Sequence, residues 1–173
     1  MPDLLVKLYN LPTMAPALER PNAAGIEIRQ AHPAEKHPVV EWVRRNFWEA
    51  WANECEAAFD QRPVTCYIAV TKVQRELSST DPYDLPEEIL LGFACYDVTN
   101  KGLFGPMGVN ENLRQHGIGK ALLLACLHAM VMHGYAYAVI GWAGPVEFYV
   151  KTVGATVIEG SEPGMNRGKL KID

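Results

Sequence analysis

Leu103-Phe104-Gly105-Pro106-Met107-Gly108-Val109, then Asn110-Glu111-Asn112-Leu113, then Arg114-Gln115-His116-Gly117-Ile118-Gly119-Lys120, is the stretch on which the fold turns. Its apolar opening reads as a strand, and an almost unbroken helical pattern follows from Ala121 to Met132. A strand, a basic glycine-bearing turn and a helix start form an anion site from backbone alone. The first N–H groups of a helix lack intrahelical partners, and the macrodipole makes that end positive. Gly117 and Gly119 lack side chains, so a phosphate can approach the main chain, and Arg114 adds a fork of donors at the rim.

Two nucleotide-binding patterns fail on this loop. A Walker loop needs Gly-x-x-x-x-Gly-Lys-Ser/Thr, but Ala121 follows Gly119-Lys120 and Arg114 stands where the first glycine belongs. The dinucleotide fingerprint needs a third glycine where the chain has Leu122. The pattern Arg/Gln-x-x-Gly-x-Gly/Ala is met in full by Arg114, Gly117 and Gly119. That loop resembles the coenzyme A pyrophosphate loop of GCN5-related N-acetyltransferases. Taken alone, the glycines also suit tight strand–helix packing with no ligand.

The 173 residues, 49% apolar and 21% charged, suit one globular domain with a sizeable core. A formal charge of −4 argues against a nucleic-acid surface. No apolar run reaches the roughly 18 residues that span a bilayer, and the N-terminus lacks the pattern of a secretion signal. A cytoplasmic protein with no membrane partner is expected. Cys55, Cys66, Cys95 and Cys126 are scattered without a C-x-x-C and read as buried free thiols. The five histidines show no H-x-x-x-H or H-E-x-x-H spacing, so no metal is expected.

Along the chain, residues 1–24 read as an extension: a strand within Leu4–Tyr9, then irregular chain around Pro12, Pro16 and Pro21. Pairing with the sheet edge or with another subunit, as in a homodimer, both fit it. Residues 25–173 read as one domain. It opens with a strand at Ile26–Arg29. Pro33 then starts a helical region whose stripe of Val39, Val40, Val43, Phe47, Trp48, Trp51, Cys55 and Phe59 fits one bent helix or two short ones. Strands follow at Val64–Val70, Ile89–Tyr96 and 103–109, with a long solvated connection from Gln74 to Glu88. A helix over about 117–133 stops at Gly134. Then come a strand at Ala136–Trp142, a short helix from Pro145 to Thr152, a strand at Ala155–Ile158 and a short final strand at Lys169–Ile172.

Three consecutive strands suggest an antiparallel meander, and the long helix suggests a parallel crossover. The expected fold is α+β, a mostly antiparallel sheet of six to seven strands with helices on both faces. The acetyltransferase resemblance implies the same order over about residues 25–160, with a sheet splayed at a coenzyme A cleft. A second segment, Phe148-Tyr149-Val150-Lys151-Thr152-Val153-Gly154-Ala155, resembles the family's F-Y-x-K-x-G-F, with one extra residue before Gly154 and Ala155 in place of the terminal aromatic. The family's helix-opening asparagine is replaced by Trp142.

The resemblance implies an acetyl-CoA-dependent N-acetyltransferase needing no metal, in which a small-molecule or peptide amine attacks directly. The pyrophosphate would lie against Gln115, His116, Gly117, Ile118, Gly119 and Lys120, with Arg114 nearby. Backbone N–H groups near Met107 and Val109 would hold the pantetheine arm and polarise the acetyl carbonyl. Tyr149 would protonate the departing thiolate; a core tyrosine bonded elsewhere is the plainer alternative. Glu54, Glu56, Asp97 and Glu111 are candidate bases, although isolated carboxylates are more commonly solvated surface charges and none stands out. Trp48, Trp51, Glu54, Glu56 and Asp60 fit a cationic amine site, or the tryptophans fit a core. A coenzyme A-binding sensor without catalysis and an interaction domain with an empty cleft remain the alternatives.

Overall fold

A computed structural model describes residues 1–73 and 87–165, the side chain of Arg114 excepted. The expected connection from Gln74 falls mainly, and the expected final strand wholly, outside the described residues. Among the described residues seven strands form one sheet: β1 (Leu4–Lys7), β2 (Ile26–Gln30), β3 (Cys66–Lys72), β4 (Glu88–Tyr96), β5 (Leu103–Val109), β6 (Tyr137–Ile140) and β7 (Thr156–Val157). Five α-helices join them: α1 (Ala15–Ala23), α2 (Lys36–Asn46), α3 (Glu49–Phe59), α4 (Ile118–Met132) and α5 (Val146–Val153). The strand order is β2-β3-β4-β5-β6-β1-β7. Every pairing is antiparallel except β5 with β6.

Side-chain alternation sorts the sheet into two faces. Cys66, Ile68, Phe93 and Cys95 point into a core with Val39, Val43, Ala52, Cys55 and Phe59 of α2 and α3. Ala69, Ala94 and Tyr96 point the other way, into a core with α1 and α4. Helix α4 is buried almost all round, Ala121 through Leu127 without a break, which explains its lack of a polar stripe. Both expectations for the helical region resolve as two helices. Phe47 leaves the helical conformation (φ −136°, ψ −148°), and Trp48, extended, caps α3.

The N-terminal segment departs from its reading in two ways. Residues 15–23 are helical although three prolines mark the region as irregular. Pro16 sits in the first turn, where its missing N–H costs nothing, and the short helix buries Ala17 and Pro21. Strand β1 is also not an edge addition. It lies between β6 and β7, pairing Leu4 with Ile140 on one side and Val157 on the other.

Candidate active site

Strands β5 and β6 pair only at Leu103–Val139 and Phe104–Ile140. Beyond these pairs β5 runs on to Val109 while β6 ends, so the sheet parts there. A cavity of about 660 Å³ opens at the parting. Met107, Val109, Gly119, Phe148 and Tyr149 line it, as do Phe47, Trp48, Trp51 and Glu54 from the α2–α3 side.

Strand β5 is built to present its backbone to this space. Its register with β4 slips by one residue between Ala94 and Tyr96, a bulge at Gly105-Pro106. Gly105 has φ +123°, a conformation that side chains disfavour. Asn110 donates its N–H to Leu91 O, which fixes the phase of the antiparallel ladder. Hydrogen-bonded pairs alternate, so Gly108 bonds Phe93 while the N–H groups of Met107 and Val109 turn away from β4, toward the cleft.

At the cleft's far end the chain makes a 3-10 turn over Glu111–His116, and Gly117 caps α4 in the left-handed conformation (φ +76°). The first intrahelical bond of α4 is Ala121 N–H to Gly117 O at 3.1 Å. The N–H groups of Ile118, Gly119 and Lys120 therefore have no intrahelical acceptor, and Gly117 offers no capping side chain. Gln115, His116 and Lys120 are exposed around this end, whereas the Ile118 side chain is buried in the core, leaving only its backbone for a ligand. Arg114 lies on the turn, its side chain outside the described residues. A cation missed by the sequence reading stands here as well. A Cβ placed on Gly117 would lie 3.6 Å from Arg20 Cβ and 3.9 Å from Arg20 Cδ, so exposed Arg20 of α1 runs past the loop. No local pattern links positions so far apart.

Tyr149 enters from α5, its side chain 7% exposed and its ring edge-on to Phe104 at 6.4 Å and to Phe148 at 5.1 Å. Burial pushes its phenol up to about 12. Among the described residues its hydroxyl makes no hydrogen bond, unlike Tyr135, whose hydroxyl donates to Asp97 at 2.9 Å. The loop between β6 and α5 closes the floor. Trp142 adopts φ +50°, a costly conformation for a bulky residue. Buried Asp3 holds it there by accepting its N–H at 2.7 Å, while Pro2 O accepts the N–H of Ala143 at 2.9 Å.

The candidate bases separate cleanly. Glu54 lines the cavity and accepts a 2.6 Å hydrogen bond from Thr99 Oγ1. Glu56 and Asp60 lie outside it, paired with Lys36 at 3.3 and 3.1 Å. Asp97 clamps a turn, accepting from Gly102 N–H and Tyr135. Glu111 is exposed at the start of the 3-10 turn. The four cysteines are free and buried, as their apolar contexts imply. The fold also does what spacing could not reveal: Sγ atoms of Cys55, Cys66 and Cys95 lie within 4.8 Å of one another. S–H donation from Cys66 and Cys95 draws the Cys55 thiol down. Cys66 is pushed up by its hydrogen bond to Cys55, and Cys95 by burial.

No family model and no curated protein matches the chain. Solved structures do. One is a GCN5-related glucosamine N-acetyltransferase region of a fungal multi-domain GH3 β-N-acetylglucosaminidase. It is 13% identical with a TM-score of 0.66 and matches 91% of this chain and 19% of that one. Another is a Drosophila protein, 12% identical with a TM-score of 0.51, over 91% of this chain and 47% of that one. The chain thus spans about a fifth and about half of these two proteins. At such identities the likeness is one of architecture, and with the parted β5–β6 pair it identifies the chain as having the GCN5-related N-acetyltransferase fold.

Proposed function

We propose that the protein transfers an acetyl group from acetyl-coenzyme A to a primary amine, by direct attack within a ternary complex. The observation that carries the reading is the parted β5–β6 cleft, with the uncapped start of α4 at one end and, at the other, buried Tyr149, whose hydroxyl is unbonded among the described residues. The backbone N–H groups of residues 118–120 suit a pyrophosphate. Those of Met107 and Val109 suit the pantetheine amides and the thioester carbonyl, whose oxygen gains negative charge as the amine adds.

The amine nitrogen forms the new C–N bond, the C–S bond breaks, the sulfur takes a proton from Tyr149, and the proton that the nitrogen sheds on becoming an amide restores the Tyr149 hydroxyl, directly or through water. With its pKa near 12, Tyr149 carries its proton at neutral pH and so has one to offer as the C–S bond breaks. The ammonium form of the acceptor must first lose a proton. Glu54 is the one carboxylate among the described cavity-lining residues and is the nearest fit to that role or to relaying it through water.

The test is calorimetry with coenzyme A followed by thiol release from acetyl-CoA across an amine panel. Micromolar binding with amine-dependent thiol release is expected. Absence of binding at millimolar coenzyme A discards the reading, and binding without release from any amine reduces the protein to a coenzyme A-binding module.

A further inference from the structure

The acceptor wall of the cavity has a composition that selects among amines. Phe47, Trp51 and Glu54 fall at i, i+4 and i+7 on the α2–α3 segment, and Trp48 stands beside them. The rings are packed into one surface: Phe47 and Trp51 centroids lie 5.4 Å apart, and Trp48 and Trp51 5.1 Å apart at 73°. Phe47 is fixed from behind by Phe93 at 5.8 Å and Trp42 at 5.8 Å. Trp48 is 65% exposed, a large apolar side chain at the cavity.

Among the lining side chains charge is as one-sided as shape, and the α-ammonium of Met1, a residue that also lines the cavity, is paired with Glu162 at 3.4 Å. Among the described cavity-lining residues there is no Lys, Arg or His side chain, and Glu54 is the only acid. Its carboxylate is oriented by Thr99, which also lines the space. A carboxylate beside the faces of tryptophans is the complement of an ammonium group on an apolar body, through charge pairing and cation–π attraction. The wall is a poor match for an amino sugar. Hydroxyl- or carboxylate-bearing lining side chains are limited to Glu54, Thr99 and Tyr149, and the first two already bond each other. A ring of hydroxyls would be desolvated without partners. One acid also cannot serve several distant cations of a polyamine, and it repels a carboxylate on the acceptor.

We infer that the acceptor is a monoamine with an aromatic or alkyl body and no carboxylate, its ammonium group held by Glu54 and its body by Trp48, Trp51 and Phe47. This rests on the acyl-transfer reading above. The probes are 2-phenylethylamine, phenylalanine, glucosamine and spermidine, compared by kcat/KM for thiol release from acetyl-CoA. Phenylalanine has the body of phenylethylamine plus a carboxylate, so that pair isolates the charge rule. Phenylethylamine should exceed each of the other three by about 10-fold or more. Trp48→Ala should raise its KM about 10-fold, Glu54→Gln should do the same and lower kcat as well because Glu54 also takes the acceptor's proton, and both should leave coenzyme A affinity within about twofold. Trp48 is exposed, so its removal tests binding rather than folding. Faster release with glucosamine or spermidine overturns the acceptor class and leaves acyl transfer standing. An unchanged KM in both variants overturns the wall. Bound coenzyme A with no release from any amine overturns both readings together.

Discussion

Gly108→Ala tests how the acceptor wall is held against the sheet. A Cβ at residue 108 would lie 2.4 Å from Phe47 Cζ, 2.6 Å from Cε2 and 2.8 Å from Cε1. Carbon atoms rest about 3.5–4.0 Å apart, so the ring must retreat by about 1 Å. Its retreat is blocked by Trp51, Trp42 and Phe93, at centroid distances of 5.4, 5.8 and 5.8 Å. The φ of Gly108 lies outside the left-handed region, so backbone strain adds nothing to the effect. Overpacking of this kind costs about 1–3 kcal/mol, and for a chain of this size Tm should fall by about 2–12 °C. A double-mutant cycle with Phe47→Leu isolates the clash. With the ring gone, alanine at 108 should cost under about 0.5 kcal/mol. An unchanged Tm in the Gly108→Ala protein, or the full penalty in the Phe47→Leu background, refutes the reasoning.

Tyr149→Phe should lower kcat about 100-fold with little change in coenzyme A affinity, read by thiol release and calorimetry; equal loss in both would make the residue a binding group instead. Because burial holds its phenol near 12, the wild-type rate should show no downward limb from this group through about pH 10. Arg20→Glu should weaken coenzyme A binding about 3–10-fold at low salt and less at high salt, with Tm nearly unchanged. Arg29 donates to Glu35 at 2.9 and 2.6 Å and holds that carboxyl below its usual range. A depressed carboxyl adds stability above its unfolded pKa of about 4.3, lost as pH falls through the folded value. Arg29→Gln should therefore flatten the acid limb of the Tm–pH curve between about pH 5 and 3, and an unaltered limb would dismiss the pair as its source.

What the sequence revealed, and what it hid, divides by range. Strands β2 to β5 and helix α4 were legible because each is a local run of apolar residues bounded by Gly, Pro or a polar turn. The placement of Tyr149 on a short helix and of Gly117 and Gly119 at the start of α4 was legible because local segments carry both. The seat of β1, the approach of Arg20 to Gly117 and the meeting of Cys55, Cys66 and Cys95 were not, since each joins elements distant in sequence and leaves no periodic trace. Prolines misled at α1, where position within the helix and burial of Ala17 and Pro21 outweigh intrinsic preference. Glu54 could be named among the acids but not chosen. Only the pairing of Glu56 and Asp60 with Lys36, and the use of Asp97 in a turn, leave it as the acid of the cleft.

The seat of β1 has a kinetic corollary. β7 reaches the rest of the sheet through β1, and Asp3 bonds Trp142 across 139 residues of chain. Contacts of such separation carry a large loop-closure cost and form late in folding. The β2–β5 meander can assemble as a self-contained half, whereas the β6–β1–β7 half waits for the two distant portions of chain to meet. Until Asp3 accepts its N–H, the left-handed turn at Trp142 costs about 1–3 kcal/mol with nothing to offset it. The floor of the cleft is thus among the last parts to set, and hydrogen exchange during refolding should find amides of β3 and β4 protected before those of Trp142 and Ala143.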